Sequence, residues 1–380
     1  MNTRAANSRR LCMGILPLLM LLSTAEARAG IITDTSRSKS ASLSEFIYSA
    51  NQAAENVSGY RIDLKNGKLA ELPGSPFVAG HYPVAIAMSP DNRFVYAANQ
   101  GSATISAYTI DRDNGNLHPI SGSPFKVGIY PDAITVTPDD RFAYVTNEDS
   151  DTITSYKIDT ATGALAKTGR PNRTGAHPIS VTVSPNGKFA FVSNFNGDSV
   201  SAYRIEGQSG ALIPVDKAAK TDLHPIYMSV SKDNRFLYVA NYGTATVSVF
   251  RIDAASGELN EIPGSPFVAG SQPYSVAVDP TNRFVYVANW GSHNVSAFKR
   301  DIKTGALTEI RGSPYATGWF PYSVVVDPQD NYVYVADNGA GTVSAFRLDP
   351  TSGALSGVPG SPFKVEPGPY ALTVGALNSP

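Results

Sequence analysis

Tyr144-Val145-Thr146-Asn147 returns, with small changes, along nearly the whole chain: Tyr48-Ser49-Ala50-Asn51, Tyr96-Ala97-Ala98-Asn99, Phe191-Val192-Ser193-Asn194, Tyr238-Val239-Ala240-Asn241, Tyr286-Val287-Ala288-Asn289 and Tyr334-Val335-Ala336-Asp337. The steps between their last residues are 48, 48, 47, 47, 48 and 48. So regular a period marks a supersecondary unit that cannot bury its apolar surface alone and stacks on its neighbours to do so. What every unit carries belongs to the scaffold. Function is sought where the units differ.

The sixth unit shows what one repeat builds. Tyr274 to Val278 alternates toward a first strand, Asp279 to Asn282 is a turn, and Arg283 to Ala288 is a β-branched, aromatic second strand. The polar loop Asn289 to Asn294 leads to a third strand at Val295 to Phe298, and Asp301 to Gly305 turns the chain into a fourth at Ala306 to Ile310. Four short antiparallel strands per period are a propeller blade. The first unit starts at its second strand, Glu45 to Ala50, and the segment left over at the end, Pro369 to Val374, reads as its missing first strand. The expected fold is therefore an all-β, seven-bladed propeller of four-stranded blades over 45–380, closed by the C-terminal strand joining the N-terminal blade.

Residues 1–29 stand outside the repeat. Arg4, Arg9 and Arg10 precede the apolar run Leu11 to Leu22, and Ala27-Arg28-Ala29 offers a small-residue cleavage site. This pattern predicts a secretory signal peptide followed by a short lead, 30–44, and places the mature protein in the periplasm or outside the cell. Its removal takes away four arginines and one glutamate, lowering Lys+Arg from 31 to 27 and Asp+Glu from 32 to 31, a net charge of about −4. That balance argues against nucleic acid as a partner. Cys12, the only cysteine, lies in the signal, so no disulfide or thiolate site is expected in the mature chain. No later apolar run is long enough to span a bilayer. A monomer without cofactor or bound metal is the expectation.

Strand direction puts two loop families on one face: the connectors between blades, and the loops after the repeated Asn. The residues before the proline that opens each inner strand are Tyr82, Tyr130, His177, His224, Gln272, Phe320 and Gly368; those after it are Val84, Asp132, Ile179, Ile226, Tyr274, Tyr322 and Tyr370. After the repeated Asn come Gln52, Gln100, Glu148, Phe195, Tyr242 and Trp290, with Asn338 in the last unit. Together they are expected to ring the channel mouth, the default place for a ligand. The tag Gly-Ser-Pro-Phe/Tyr is missing from the two connectors that lead to His177 and His224, and Lys167, Arg170, Arg173, Lys217 and Lys220 sit there instead, suited to an anionic or carbonyl-bearing ligand. The two histidines read either as rim residues, as acid/base groups or as metal ligands; the repeated Asn is expected to bond the backbone of its own turn.

The repeat resembles that of the exported Tyr-Val-Thr-Asn propeller proteins and, over the mature chain, the propeller lactonase family that includes 6-phosphogluconolactonase and the carboxymuconate cyclases. The resemblance implies a seven-bladed fold and lactone opening. The family carries an Arg-His pair at the start of one inner strand and a Glu after the next Asn; here those places hold Ile226, Tyr227 and Tyr242, and the family's His-Pro-His one blade earlier is His177-Pro178-Ile179. The downstream Asp is matched by Asp198, and a Glu does follow Asn147 as Glu148. Lactone opening needs a base for water and a donor for the oxyanion. On face and sector, His177 or Glu148 is the candidate base and His224, with Arg173 or Lys220, the candidate stabiliser; Asp132, Asp198, Tyr242, Trp290 and Phe320 are candidate substrate contacts. Two readings follow: an exported lactonase-like hydrolase acting on an unphosphorylated sugar lactone or related cyclic ester, or a non-catalytic propeller that binds a protein, glycan or small ligand.

Overall fold

The computed structural model describes residues 43–215 and 217–378; the expected signal peptide and nearly all of the expected lead lie outside the described residues. Seven antiparallel sheets follow one another around an axis. In blade 3 the strands, from the axis outward, are Pro131–Val136, Phe142–Asn147, Thr152–Ile158 and Leu165–Arg173. The sixth repeat gives Pro273–Val278, Phe284–Asn289, Asn294–Arg300 and Leu307–Glu309, within two residues of the ranges expected from the sequence.

The second strand of blades 2 to 7 is buried along its whole length, as Phe94–Asn99 and Phe236–Asn241 show, because neighbouring blades cover both of its faces. The repeated tyrosine reaches across that junction. Tyr96 Oη donates to the Gly163 carbonyl of the next blade at 2.9 Å, Tyr144 to Gly210 at 3.0 Å and Tyr286 to Gly353 at 2.9 Å. The accepting turn must be glycine. At Gly115, whose φ is +81°, a Cβ would lie 2.4 Å from the Phe46 ring.

The ring closes as expected. Pro369–Asn378 pairs with Leu43–Asn51, with Tyr48 opposite Thr373, and so completes blade 1. The seam between blades 7 and 1 is packed like any other junction, with Ile47, Tyr60 and Leu372 against Tyr334 and Val343. Tyr334 Oη donates to Gly67 at 3.0 Å, the seam's copy of the interblade bond. Tyr334→Phe is expected to lower stability to urea by about 1–3 kcal/mol, since it strands a buried carbonyl. Tyr286→Phe should cost the same, and a far larger loss at Tyr334 would mark the seam as the weak point.

A second seam device is chemical. Glu45 is fully buried, neither of its oxygens meets a conventional donor, and its carboxyl faces that of Asp327. Asp327 Oδ1 already accepts the amides of Asn331 and Tyr332 at 2.7 and 2.6 Å. Burial first, and then the Asp327 charge, push Glu45 from its ordinary 4.5 up to about 8. The folded state therefore holds a proton that the unfolded chain releases, and this contribution is complete below pH about 4.5 and lost as pH rises through about 8. Thermal unfolding midpoints should fall between pH 6 and 9, and Glu45→Gln should flatten that fall.

Two features differ from the sequence reading. The repeated Asn does not principally bond its own turn: its Nδ2 donates to hydroxyls on the next strand, as Asn99 does to Ser106 at 3.0 Å and Asn241 to Ser248 at 2.9 Å. The ladder of hydroxyls satisfies the amide N–H groups, while Oδ1 of Asn99 and Asn241 stays without a partner. The Gly-Ser-Pro tag also has a structural task. It interrupts the outer strand, and its serine Oγ accepts the amide left unpaired on the third strand, Ser123 from Ala107 at 2.9 Å and Ser361 from Ala345 at 2.8 Å. Blade 3 lacks the tag and runs one continuous outer strand.

Candidate active site at the channel mouth

One backbone bond, repeated in every blade, builds the rim. The residue before the opening proline has left-handed backbone, φ +55° at His177 and +57° at His224. Its carbonyl accepts the amide of the residue after the repeated Asn: Tyr130 from Glu148 at 2.9 Å, His177 from Phe195 at 2.8 Å, His224 from Tyr242 at 3.0 Å and Gln272 from Trp290 at 2.9 Å. The two loop families are thus latched together, and in blades 2 to 6 the side chain after the repeated Asn lines the mouth.

There the side chains enclose a cavity of about 360 Å³ with two unlike walls. Blades 2 to 4 contribute the acid wall, with Gln100, Asp132, Glu148 and His177. Blades 5 to 7 and blade 1 contribute the aromatic wall, with Tyr227, Tyr242, Tyr274, Trp290, Tyr322 and Tyr370. No lysine or arginine lines it.

The acid wall is a connected array. Gln100 Nε2 donates to Asp132 Oδ1 at 2.7 Å. Asp132 Oδ2 has no conventional donor and faces the Glu148 carboxyl, and Glu148 Oε1 lies 2.6 Å from His177 Nδ1. Burial, then the hydrogen bond and charge of Glu148, push Asp132 up to about 9. Near neutral pH Asp132 therefore keeps its proton. His177 keeps 41% of its side chain accessible, against 18% for Glu148, so the imidazole is the member that meets solvent and ligand.

The aromatic wall rests on itself. The Tyr274 and Tyr322 rings are 4.4 Å apart, as are Tyr322 and Tyr370, and the Tyr274 and Tyr370 hydroxyls are hydrogen-bonded. Tyr242 Oη accepts Gln272 Nε2–H at 2.8 Å, which leaves its own proton free to donate. Trp290 brings a buried Nε1–H without an acceptor. The lower edge of this wall, Tyr227, Tyr322 and Tyr370, also roofs a second axial cavity of about 200 Å³. Tyr227 reaches the axis because the second residue after the opening proline faces it in every blade: the other six place Ala85, Ala133, Ser180, Ser275, Ser323 and Ala371 there, and only blade 5 has a large side chain.

Of the residues expected at the site, the structure gathers His177, Glu148, Asp132, Tyr242 and Trp290 in this one cavity. It places the others elsewhere. His224 stacks on Phe195, ring centroids 4.5 Å apart, outside the lining. Asp198 caps the connector by accepting the His224 amide at 2.9 Å. Phe320 stacks behind Trp290 at 4.6 Å. Arg173 ends the outer strand of blade 3, its carbonyl accepting the Tyr203 hydroxyl at 2.6 Å, and Lys220 lies in a peripheral cleft with Glu258 and Glu261. The basic sector is thus on the outer strands, away from the mouth. Gln100 and Tyr227 are the polar groups not proposed as site residues from sequence: Gln100 was one rim residue among many, and Tyr227 was named only as standing in the place of the family's His.

No curated protein matches the chain. Among solved structures it is similar to the periplasmic gluconolactonase PpgL of Pseudomonas aeruginosa, with 21% identity, a TM-score of 0.75, and coverage of 89% of this chain and all of that one. A Bacteroides fragilis protein provisionally assigned as a 6-phosphogluconolactonase gives 22% identity and a TM-score of 0.77 over 90% of this chain and all of that one. A Lactobacillus plantarum protein gives 18% and 0.74 over 88% of this chain and all of that one. These likenesses show the fold. The family model described as "Lactonase, 7-bladed beta-propeller" matches residues 71–177, 124–228, 172–268, 228–318 and 267–368, overlapping windows that together run from 71 to 368. With a match over most of its length and the seven closed blades in place, the chain belongs to the seven-bladed β-propeller lactonase family.

Proposed function

We propose that this protein is an exported lactonase that opens an unphosphorylated sugar lactone or related cyclic ester in the mouth cavity. The observation that carries this reading is the Glu148–His177 contact at 2.6 Å, backed by a protonated Asp132 and facing a wall of aromatic donors. Glu148 holds the imidazole through Nδ1, which leaves Nε2 to take a proton from water. That water attacks the lactone carbonyl. The charge that develops on the carbonyl oxygen meets the free Tyr242 O–H, in the place first given to His224 with Arg173 or Lys220. The ring C–O bond then breaks, and the leaving alkoxide takes the proton back from the imidazolium. The cavity has no lysine or arginine for a phosphate, which favours uncharged lactones.

Ile226 and Tyr227, standing where the family signature has Arg and His, favour a second reading in which the mouth binds without catalysis. Glucono-1,5-lactone and a panel of simpler lactones, assayed with the mature protein and with His177→Ala, separate the two. Hydrolysis that depends on His177 supports the first. No rate above background, together with lactone-dependent thermal stabilisation, supports the second.

A further inference from the structure

The division of the mouth into an acid wall and an aromatic wall has a meaning apart from ester chemistry. We infer that this cavity is also a receptor for organic cations of the alkylammonium class, which lay their charge against Asp132 and Glu148 and their methyl groups against Tyr242, Tyr274 and Trp290. Three observations converge on it. The lining holds two carboxyls and no lysine or arginine, with His177 as its one basic group, already paired to Glu148. The opposite wall is built from aromatic rings, whose faces attract cations and whose area suits methyl groups that cannot hydrogen-bond. The size is right as well, since about 360 Å³ is at the small end for ligand pockets and admits a group of a few carbon atoms.

A bound cation also relieves the crowding of negative charge in the acid wall. The titratable neighbours of Asp132 are Glu148 and His177 in the same wall, Asp149 beyond Glu148, and Tyr227 and Tyr370 across the mouth. A cation among them favours loss of the Asp132 proton. Its affinity must then rise with pH up to the region where Asp132 titrates, about 9. Uncharged lactones have no such dependence for binding.

The chain has two tryptophans, Trp290 in the cavity and Trp319 exposed in the following connector, so Trp319→Phe leaves a single reporter in the site. Choline is titrated into that variant, following Trp290 fluorescence, with its neutral carbon isostere 3,3-dimethylbutan-1-ol as the control. A saturable change with choline is expected, with at least tenfold weaker binding of the isostere, at least tenfold weakening by Glu148→Gln, and tighter choline binding at pH 9 than at pH 6. Tyr242→Leu, which leaves the charge in place, should also weaken choline. Equal responses to choline and the isostere, or no saturable response to choline, would overturn the proposal. The assay uses no ester, so a failure of lactone turnover leaves it intact.

Discussion

Glu148→Gln is expected to lower kcat/KM for lactone opening by about 10²–10⁴-fold, the range for losing a group that orients and charges a general base. The substitution keeps the shape of the side chain and removes the charge that holds His177 Nδ1 at 2.6 Å. It also removes one of the causes that raise Asp132, whose carboxyl should then titrate below about 9 while burial, the larger cause, remains. The pH–rate profile is therefore the second readout: the alkaline limb should move to lower pH along with the loss of rate. His177→Ala tells which group is the base. A loss equal to or greater than that of Glu148→Gln puts the proton on the imidazole, whereas a small loss puts it on Glu148. A rate unchanged by either variant would take the reaction out of this cavity.

The second large effect is structural. Ending the chain at Gly368 should abolish cooperative thermal unfolding. The removed strand, Pro369–Asn378, buries Leu372 and Leu377, and losing two buried leucines costs on the order of 4–10 kcal/mol, comparable to the whole net stability of a domain. The loss also bares the inner edge of Leu43–Asn51, a long apolar strand that would pair with other chains. Calorimetry and light scattering on the truncated protein check this. A sharp transition within a few degrees of the parent would show that the ring holds without its last strand.

The fold was open to reading because its determinants are local and repeated. Strand alternation, the interblade tyrosine and the leftover segment at Pro369 each appear in the order of residues alone. The site was legible in part, since rim positions follow from strand direction, and Asp132, Glu148, His177, Tyr242 and Trp290 do meet there. What sequence could not supply was radial distance. Lys220 and Arg173 are close in the chain to the connectors that lead to the mouth, yet they lie on outer strands. Likewise, Asp198 stands near His224 in order to cap its amide, a backbone duty that resembles a catalytic pairing until the donor atom is known. Tyr227 was passed over because its place, two residues after the opening proline, is filled by Ala or Ser in the other blades, and its size alone brings it into the mouth.

The tyrosine layer between the two axial cavities decides how molecules can come and go. Tyr227, Tyr322 and Tyr370 line both the upper chamber and the cavity below it, so their rings stand between the two. A guest that enters the upper chamber from the mouth meets a floor of aromatic rings. Under the proposed lactone opening, an acid product that lingers at the threshold delays its successor.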